Sequence, residues 1–226
     1  MKKLRLLIVL LIAFVLTACG TAEEENSASK NEETSQVENN SNNTETNSEE
    51  DESTIEEETE DVELYSIELN NENNTVELKK EGEDTAVLSD QYPSEPVKSP
   101  NGQHAAYLAP FEWEELSDLY IVDLKEGSQK KLIEGNSESK PKNVIWENDE
   151  HVLVILGYPY GTVSIGGNIY RVNIETGNQE QLTDYEDETQ ITDFHIEDGT
   201  LHYSGIKYTD DEMNEHEEYS NQISLQ

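Results

Sequence analysis

The stretch "YIVDLKEGSQKKL" (Tyr120–Leu132) reads as two short strands joined by a turn at Gly127. About fifty residues further on the chain repeats it as "YRVNIETGNQEQL" (Tyr170–Leu182), with Gly177 at the turn. Apolar residues alternate with polar ones on either side of each glycine, the pattern of a β-hairpin with one buried face. The match extends upstream. "NGQHAAYLAP" (Asn101–Pro110) aligns with "NDEHVLVILGYP" (Asn148–Pro159), placing His104 on His151. Each unit is therefore a turn, a strand, a loop, a strand, a glycine turn and a strand.

A third copy begins at "FHIEDGTLHYSG" (Phe194–Gly205) and continues in "YSNQISL" (Tyr219–Leu225). A fainter copy, "LYSIELNNENNTVEL" (Leu64–Leu78), matches the second half of a unit only. "HVLVIL" (His151–Leu156) is apolar on both faces, as a strand buried between two layers would be. No stretch carries a 3.6-residue apolar stripe with helix caps. The folded part, residues 62–226, is expected to be all-β, built of antiparallel four-stranded, blade-like repeats. Repeats of about 40 to 50 residues with about four strands each are the mark of propeller blades. About three and a half units fit, fewer than the four blades a closed ring usually needs. The expectation is a small or incomplete β-propeller-like domain, and the complementary half units at the two ends favour closure.

The wording "SPNGQHAAYLAP…DLYIVDLKEGSQKKL" resembles the TolB-type, WD40-like propeller repeat. In that family a Ser-Pro-Asp-Gly turn precedes an inner strand, and a Tyr-x-x-Asp strand precedes the outer hairpin. Ser99, Pro100, Asn101 and Gly102 supply the turn, and Tyr120 and Asp123 the strand. The second unit departs from the pattern, with Trp146-Glu-Asn-Asp at the turn and Asn173 for the aspartate. The chain is also similar to small Bacillus-type lipoproteins that carry a C-terminal domain of unknown function.

The N-terminus is of another kind. "MKKLRLLIVLLIAFVLTAC" has a basic start, an apolar run from Leu6 to Leu16 and small residues before Cys19. That is the layout of a secretory signal, and the run is shorter than the about 20 residues a spanning helix needs. Cys19, directly after Leu16, Thr17 and Ala18, resembles the lipobox of bacterial lipoprotein precursors. The resemblance implies a signal peptide over 1–18, cleavage before Cys19 and diacylglycerol on its sulfur. The other reading is an uncleaved anchor whose cysteine is incidental. Residues 19–61 are almost wholly Glu, Asn, Ser and Thr. Such a segment buries too little to offset its ordering entropy and is expected to be a disordered acidic tether, spanning roughly 35 Å.

Charge excludes some functions. With 51 acidic residues against 14 basic and a net charge of -37, nucleic acid is not an expected partner, because phosphate binding needs clustered Lys and Arg. The membrane is expected as a partner through the lipid on Cys19 only, on the extracytoplasmic face. There is no P-loop, dinucleotide glycine fingerprint or His-Glu-x-x-His. "GTVSIGG" (Gly161–Gly167) misses the Gly-x-Ser-x-Gly elbow by one residue and reads as a strand and turn. His104 and His151 sit at equivalent repeat positions, which points to a shared structural task. No residue is singled out as catalytic or as a metal ligand, and no cofactor is implied. The acidic runs "TDDEMNEHEE" (Thr209–Glu218) and "DYEDETQITD" (Asp184–Asp193) lack the glycine and spacing of a Ca²⁺ loop and read as solvated loops.

The loops between second and third strands are the candidates for recognition: "PFEWEELSD" (Pro110–Asp118), "GYPYGTVSIGGN" (Gly157–Asn168) and "IKYTDDEMNEHEEYSN" (Ile206–Asn221). They hold equivalent places in the repeat and carry Phe111, Trp113, Tyr158, Tyr160, Tyr208 and Tyr219. Aromatics beside carboxylates make a recognition surface for a protein or a cell-wall component. The alternatives are that these rings cap the core, or that a wall-acting enzyme uses Glu112, Glu114, Glu115 and Asp118.

Overall fold

In the computed structural model, which describes residues 63–225, the two glycine turns are near copies of each other. Gly127 and Gly177 take left-handed φ values of 72° and 71°, open to glycine without steric cost. The Asp123 carboxylate accepts from the N–H groups of Lys125 and Glu126 at 2.8 and 2.9 Å. At the second turn the Asn173 side chain accepts from Glu175 and Thr176 at 3.1 and 2.9 Å. The Asp-to-Asn departure between the units is thus physically silent, because both side chains offer the oxygen that an Asx turn needs.

These turns sit in a succession of four antiparallel sheets. The first holds β1 (Ser66–Asn70), β2 (Thr75–Lys79) and β3 (Ala86–Ser89). The second holds β4 (Val97–Lys98), β5 (His104–Ala109), β6 (Asp118–Asp123) and β7 (Ser128–Ile133). The third repeats it with β8 (Lys140–Trp146), β9 (His151–Gly157), β10 (Asn168–Asn173) and β11 (Gln179–Gln181). The fourth holds β12 (Thr189–Glu197), β13 (Thr200–Tyr208) and β14 (His216–Ser224). Within each sheet every strand pairs with its chain neighbour, so each is a blade-like meander.

The sheets pack face to face, and the strand alternation shows how. On β5, Ala105, Tyr107 and Ala109 join Ile67, Val76 and Leu78 of the first sheet. Ala106 and Leu108 of the same strand join Val144, Trp146, Val152 and Val154 of the third. On β9, Leu153 and Ile155 turn instead to Ile191, Phe194 and Leu201 of the fourth. The two inner sheets are buried on both faces, which is why "HAAYLA" and "HVLVIL" have no polar alternation. Successive units are tied by hydrogen bonds as well. Trp146 Nε1 donates to the Val97 carbonyl at 2.9 Å, and the Asn101 N–H donates to Asp149 Oδ1 at 2.8 Å.

The end sheets correct one expectation. The half units at the two termini do not complete each other; each forms its own three-stranded sheet. Among the described residues no buried cluster joins the first sheet to the fourth. Their outer faces explain it. β1 turns Ser66 and Glu68 to solvent, and β12 turns Asp193 and His195 outward, with the His195 and His202 rings stacked at 5.2 Å. Closing a ring over such faces would bury polar groups with no partners. The all-β domain is an open stack of four blade-like sheets. The segments expected to be signal peptide and tether, with Cys19, lie outside the described residues.

Candidate functional site

Three loops leave the same end of the stack: loop 1 (110–117) between β5 and β6, loop 2 (158–167) between β9 and β10, and loop 3 (209–215) between β13 and β14. Lys140, at the start of β8, shapes the first. Its Nζ donates to the carbonyls of Glu112 at 2.9 Å, Trp113 at 2.7 Å and Glu115 at 2.8 Å. All three ammonium protons are used, and the side chain is buried. Burial pushes its pKa below the ordinary range, against the pull of Glu115 and Glu114. Ser117 Oγ closes the loop on the Pro110 carbonyl at 2.5 Å.

Loop 2 is threaded between neighbouring sheets. A Cβ on Gly166 would stand 2.1 Å from the Ile191 carbonyl oxygen, and one on Gly167 2.0 Å from that of Leu156. Only glycine permits this approach. "GTVSIGG" is therefore not the strand arm expected from its alternation. Its backbone is held by scattered partners instead. Lys142 Nζ donates to the Ser164 carbonyl, and the Gly166 N–H donates to Gln190 Oε1 at 3.0 Å. Ser164 shows no nucleophile elbow.

Between loops 1 and 2 lies a half-open cavity of about 270 Å³. Phe111, Trp113, Pro159 and Ile165 form apolar walls, and Lys140 and Lys142 of β8 line it as well. The Lys142 ammonium is half-buried, and burial, with the neighbouring Lys140 charge second, pushes its pKa down to about 8. Among the described residues it forms no ion pair, whereas Lys79, Lys131 and Arg171 each do.

The expected aromatics divide. Phe111, Trp113, Tyr158 and Tyr160 are exposed, Trp113 by 54%, and the two tyrosines of loop 2 meet edge to face at 5.8 Å. Tyr208 is not on a loop but ends β13; it is buried, and its hydroxyl donates to the Val163 carbonyl at 2.9 Å, joining the end of β13 to loop 2. Tyr219 is not on a loop: β14 begins at His216, and Tyr219 pairs with Gly205. Its hydroxyl donates to Tyr185 Oη at 2.8 Å, within a half-buried tyrosine cluster. Sequence alternation could not separate these cases, because an aromatic in an acidic run looks the same whether it faces out or packs.

Three residues of the site were not singled out from sequence. Tyr92 is 58% exposed, has a left-handed φ of 46°, and its carbonyl accepts from the Phe111 N–H at 2.8 Å. Lys140 and Lys142 look like surface lysines in "KPKNVIW", and a bulge at Lys142, which the register skips between Pro141 and Asn143, hides their shared cavity from simple alternation.

The remaining candidates are accounted for structurally. Asp118 pairs with Lys131 at 2.6 Å and accepts from the Gly135 N–H at 2.9 Å. Glu112, Glu114 and Glu115 are exposed. The His104 ring lies on Trp146 with centroids 6.2 Å apart, and His151 sits 3.3 Å from Asn148 and from Asn173. In loop 3, Asp210 accepts from the N–H groups of Asn214 and Glu215 at 2.9 and 2.8 Å. The backbone bond from Glu215 above all holds its carboxyl below the usual range. This acidic loop organises itself, but the other acidic run is not the solvated loop expected: from Thr189 on it belongs to β12, with Thr189, Gln190 and Ile191 buried. Among the described residues no cluster of three or more His, Cys, Asp or Glu could hold a metal ion.

Residues 23–225 match the model of DUF4652, a domain of unknown function. No curated protein matches the sequence. Among solved structures, a protein of Clostridium novyi NT provisionally named a conserved lipoprotein superposes with a TM-score of 0.56 at 22% identity. That match covers 72% of this chain and 97% of the other, and it shows a shared fold. The β-propeller domain of the Trilobed protease from Pyrococcus furiosus, described as having an open velcro topology, reaches a TM-score of 0.40 at 14% identity. This chain spans 45% of that one, with 66% of its own length.

Proposed function

We propose that this chain, which belongs to the DUF4652 family, is a lipid-anchored recognition module that binds a protein or cell-envelope component through the cavity between loops 1 and 2. One observation carries the reading. Of the seven exposed large apolar side chains among the described residues, five belong to this end of the stack: Tyr92, Phe111, Trp113, Tyr158 and Tyr160. Soluble domains seldom gather exposed apolar surface at one place unless something docks there. The two inner sheets behind it are buried on both faces, and Lys140 fixes the Trp113 backbone, so the surface is preorganised.

The anchor rests on the basic start, the apolar run and Cys19. The provisional name of the Clostridium novyi protein is in keeping with it. Lipidation would place the domain on the extracytoplasmic face with residues 20–61 as its tether. Palmitate labelling of the wild type and of Cys19→Ser tests this: label in the wild type alone is expected, and equal label in both would refute the anchor.

The recognition surface is tested with full-length chain and purified cell-envelope fractions. Trp113→Ala and Tyr160→Ala are expected to reduce retention several-fold. Val87→Ala, which trims an equally exposed side chain on β3, is expected to leave it unchanged. Equal retention of all three would sink the reading.

A further inference from the structure

We propose that the cavity between loops 1 and 2 takes a carboxylate carried on an apolar stem, with the Lys142 ammonium as its counter-ion. The inference rests on the reading of that cavity as the recognition site and specifies its ligand class.

Lys142 stands half-buried in a cavity wall. Carboxylates outnumber basic groups by 51 to 14. Among the described residues Lys98, Lys125, Lys130 and Lys207 stand unpaired in solvent, while Lys79, Lys131 and Arg171 have each found a carboxylate. Lys142 has not, although the cavity it lines also borders Glu112, whose side chain stays exposed. Its neighbour Lys140 cannot serve a ligand, since three carbonyls already take its protons. Lys142 donates to one carbonyl, that of Ser164, so two of its three protons remain for another acceptor. A half-buried charge without a counter-ion costs stability. That cost is offset when a ligand brings the negative charge.

The surroundings narrow the anion. Only one ammonium has protons left to donate, with no guanidinium fork and the Ser164 carbonyl beside it, which suits a single negative charge better than a phosphate dianion. The strongly acidic remainder of the chain opposes multiply charged ligands in the same direction. Phe111, Trp113, Pro159 and Ile165 supply walls for a stem. At about 270 Å³ the cavity is below the about 300–1,000 Å³ of sites that enclose a drug-sized molecule. It fits a terminal group and leaves the rest of the ligand outside. A peptide ending in an apolar residue and a free aliphatic acid both present this chemistry.

The test uses full-length protein and four probes: an acetylated tripeptide ending in Leu with a free carboxylate, the same peptide as its C-terminal amide, octanoate and octanamide. Binding is followed by tryptophan fluorescence and calorimetry. In at least one pair the acid is expected to bind at least tenfold tighter than the amide, and the pair that shows this identifies the source. Lys142→Met is expected to abolish the preference. In the wild type, affinity for the acid is expected to fall as pH rises above about 8, where Lys142 loses its proton, while amide binding stays flat. The pH profile needs no variant, so it stands even if Lys142→Met folds poorly. Equal binding of acid and amide, a preference that survives in Lys142→Met, or no saturable binding of any probe would overturn the proposal. If Trp113→Ala loses envelope retention while Lys142→Met keeps it, the ligand class is wrong and the cavity reading stands. If neither variant loses retention, both fall.

Discussion

Lys140 Nζ donates to the carbonyl of Trp113 at 2.7 Å, joining residues 27 apart in sequence. With the bonds to Glu112 and Glu115 it turns an acidic, aromatic loop into a fixed rim. Lys140→Met is expected to free loop 1 while keeping the sheets. Removing a buried donor leaves three carbonyls to find new partners, a loss of about 2 kcal/mol. Amide hydrogen exchange should accelerate over 111–117 and stay protected in β5 and β9. Uniform acceleration across the domain would show that Lys140 supports the whole fold and not the rim.

The open stack predicts unequal cores. Leu153 lies between the third and fourth sheets and is fully buried, so Leu153→Ala should cost about 2–5 kcal/mol in chemical denaturation. His202→Ala, on the outer face of the fourth sheet, should cost no more than about 0.5 kcal/mol. A large loss at His202 would mean that this face is covered.

Loop 2 depends on its glycines. In Gly166→Ala the new methyl would meet the Ile191 carbonyl at 2.1 Å, which neither backbone can avoid without moving. The expected result is a loss of at least about 2 kcal/mol and a changed environment for Tyr158 and Tyr160, read by NMR. Gly82→Ala, where nothing lies within 4 Å but φ is 79°, should cost about 1 kcal/mol from backbone conformation alone.

The turn oxygens should be interchangeable. Asp123→Asn and Asn173→Asp each keep the acceptor of the Asx turn and should change stability by less than about 0.5 kcal/mol. Asp123→Ala removes it and should cost about 1 kcal/mol. Thermal denaturation of the three variants decides the point.

Stability should rise with pH between about 8 and 10. The folded-state pKa of Lys142 is about 8, below its value of 10.5 as an unperturbed lysine. In that window the unfolded chain therefore binds more protons than the native one. Lys140, lowered by burial, acts with the same sign. Beyond about pH 10 the trend should reverse. Lys131, raised chiefly by its bond to Asp118, loses that gain, and Tyr107, raised chiefly by burial, stays neutral in the fold while it ionises in the unfolded chain. Lys142→Met should flatten the rise and add about 1–2 kcal/mol at pH 7. A wild-type melting temperature that falls steadily from pH 7 to 10 would contradict this account.

By itself the sequence determined most of the strands, the repeat and the two-sided burial of β9. These depend on local alternation and on turn residues such as Gly127 and Gly177, each legible within a dozen positions. It also carried the polar outer faces of β1 and β12 that stop the stack, though their meaning shows only once the sheets are set side by side. The tertiary structure decided what the loops are. Whether Tyr208 caps a core or faces solvent depends on Val163, 45 residues away. Whether Lys142 is one more surface cation depends on loops 1 and 2 folding over β8. Such facts rest on contacts between distant segments, and no local pattern encodes the distance between two segments that meet only when the sheets pack.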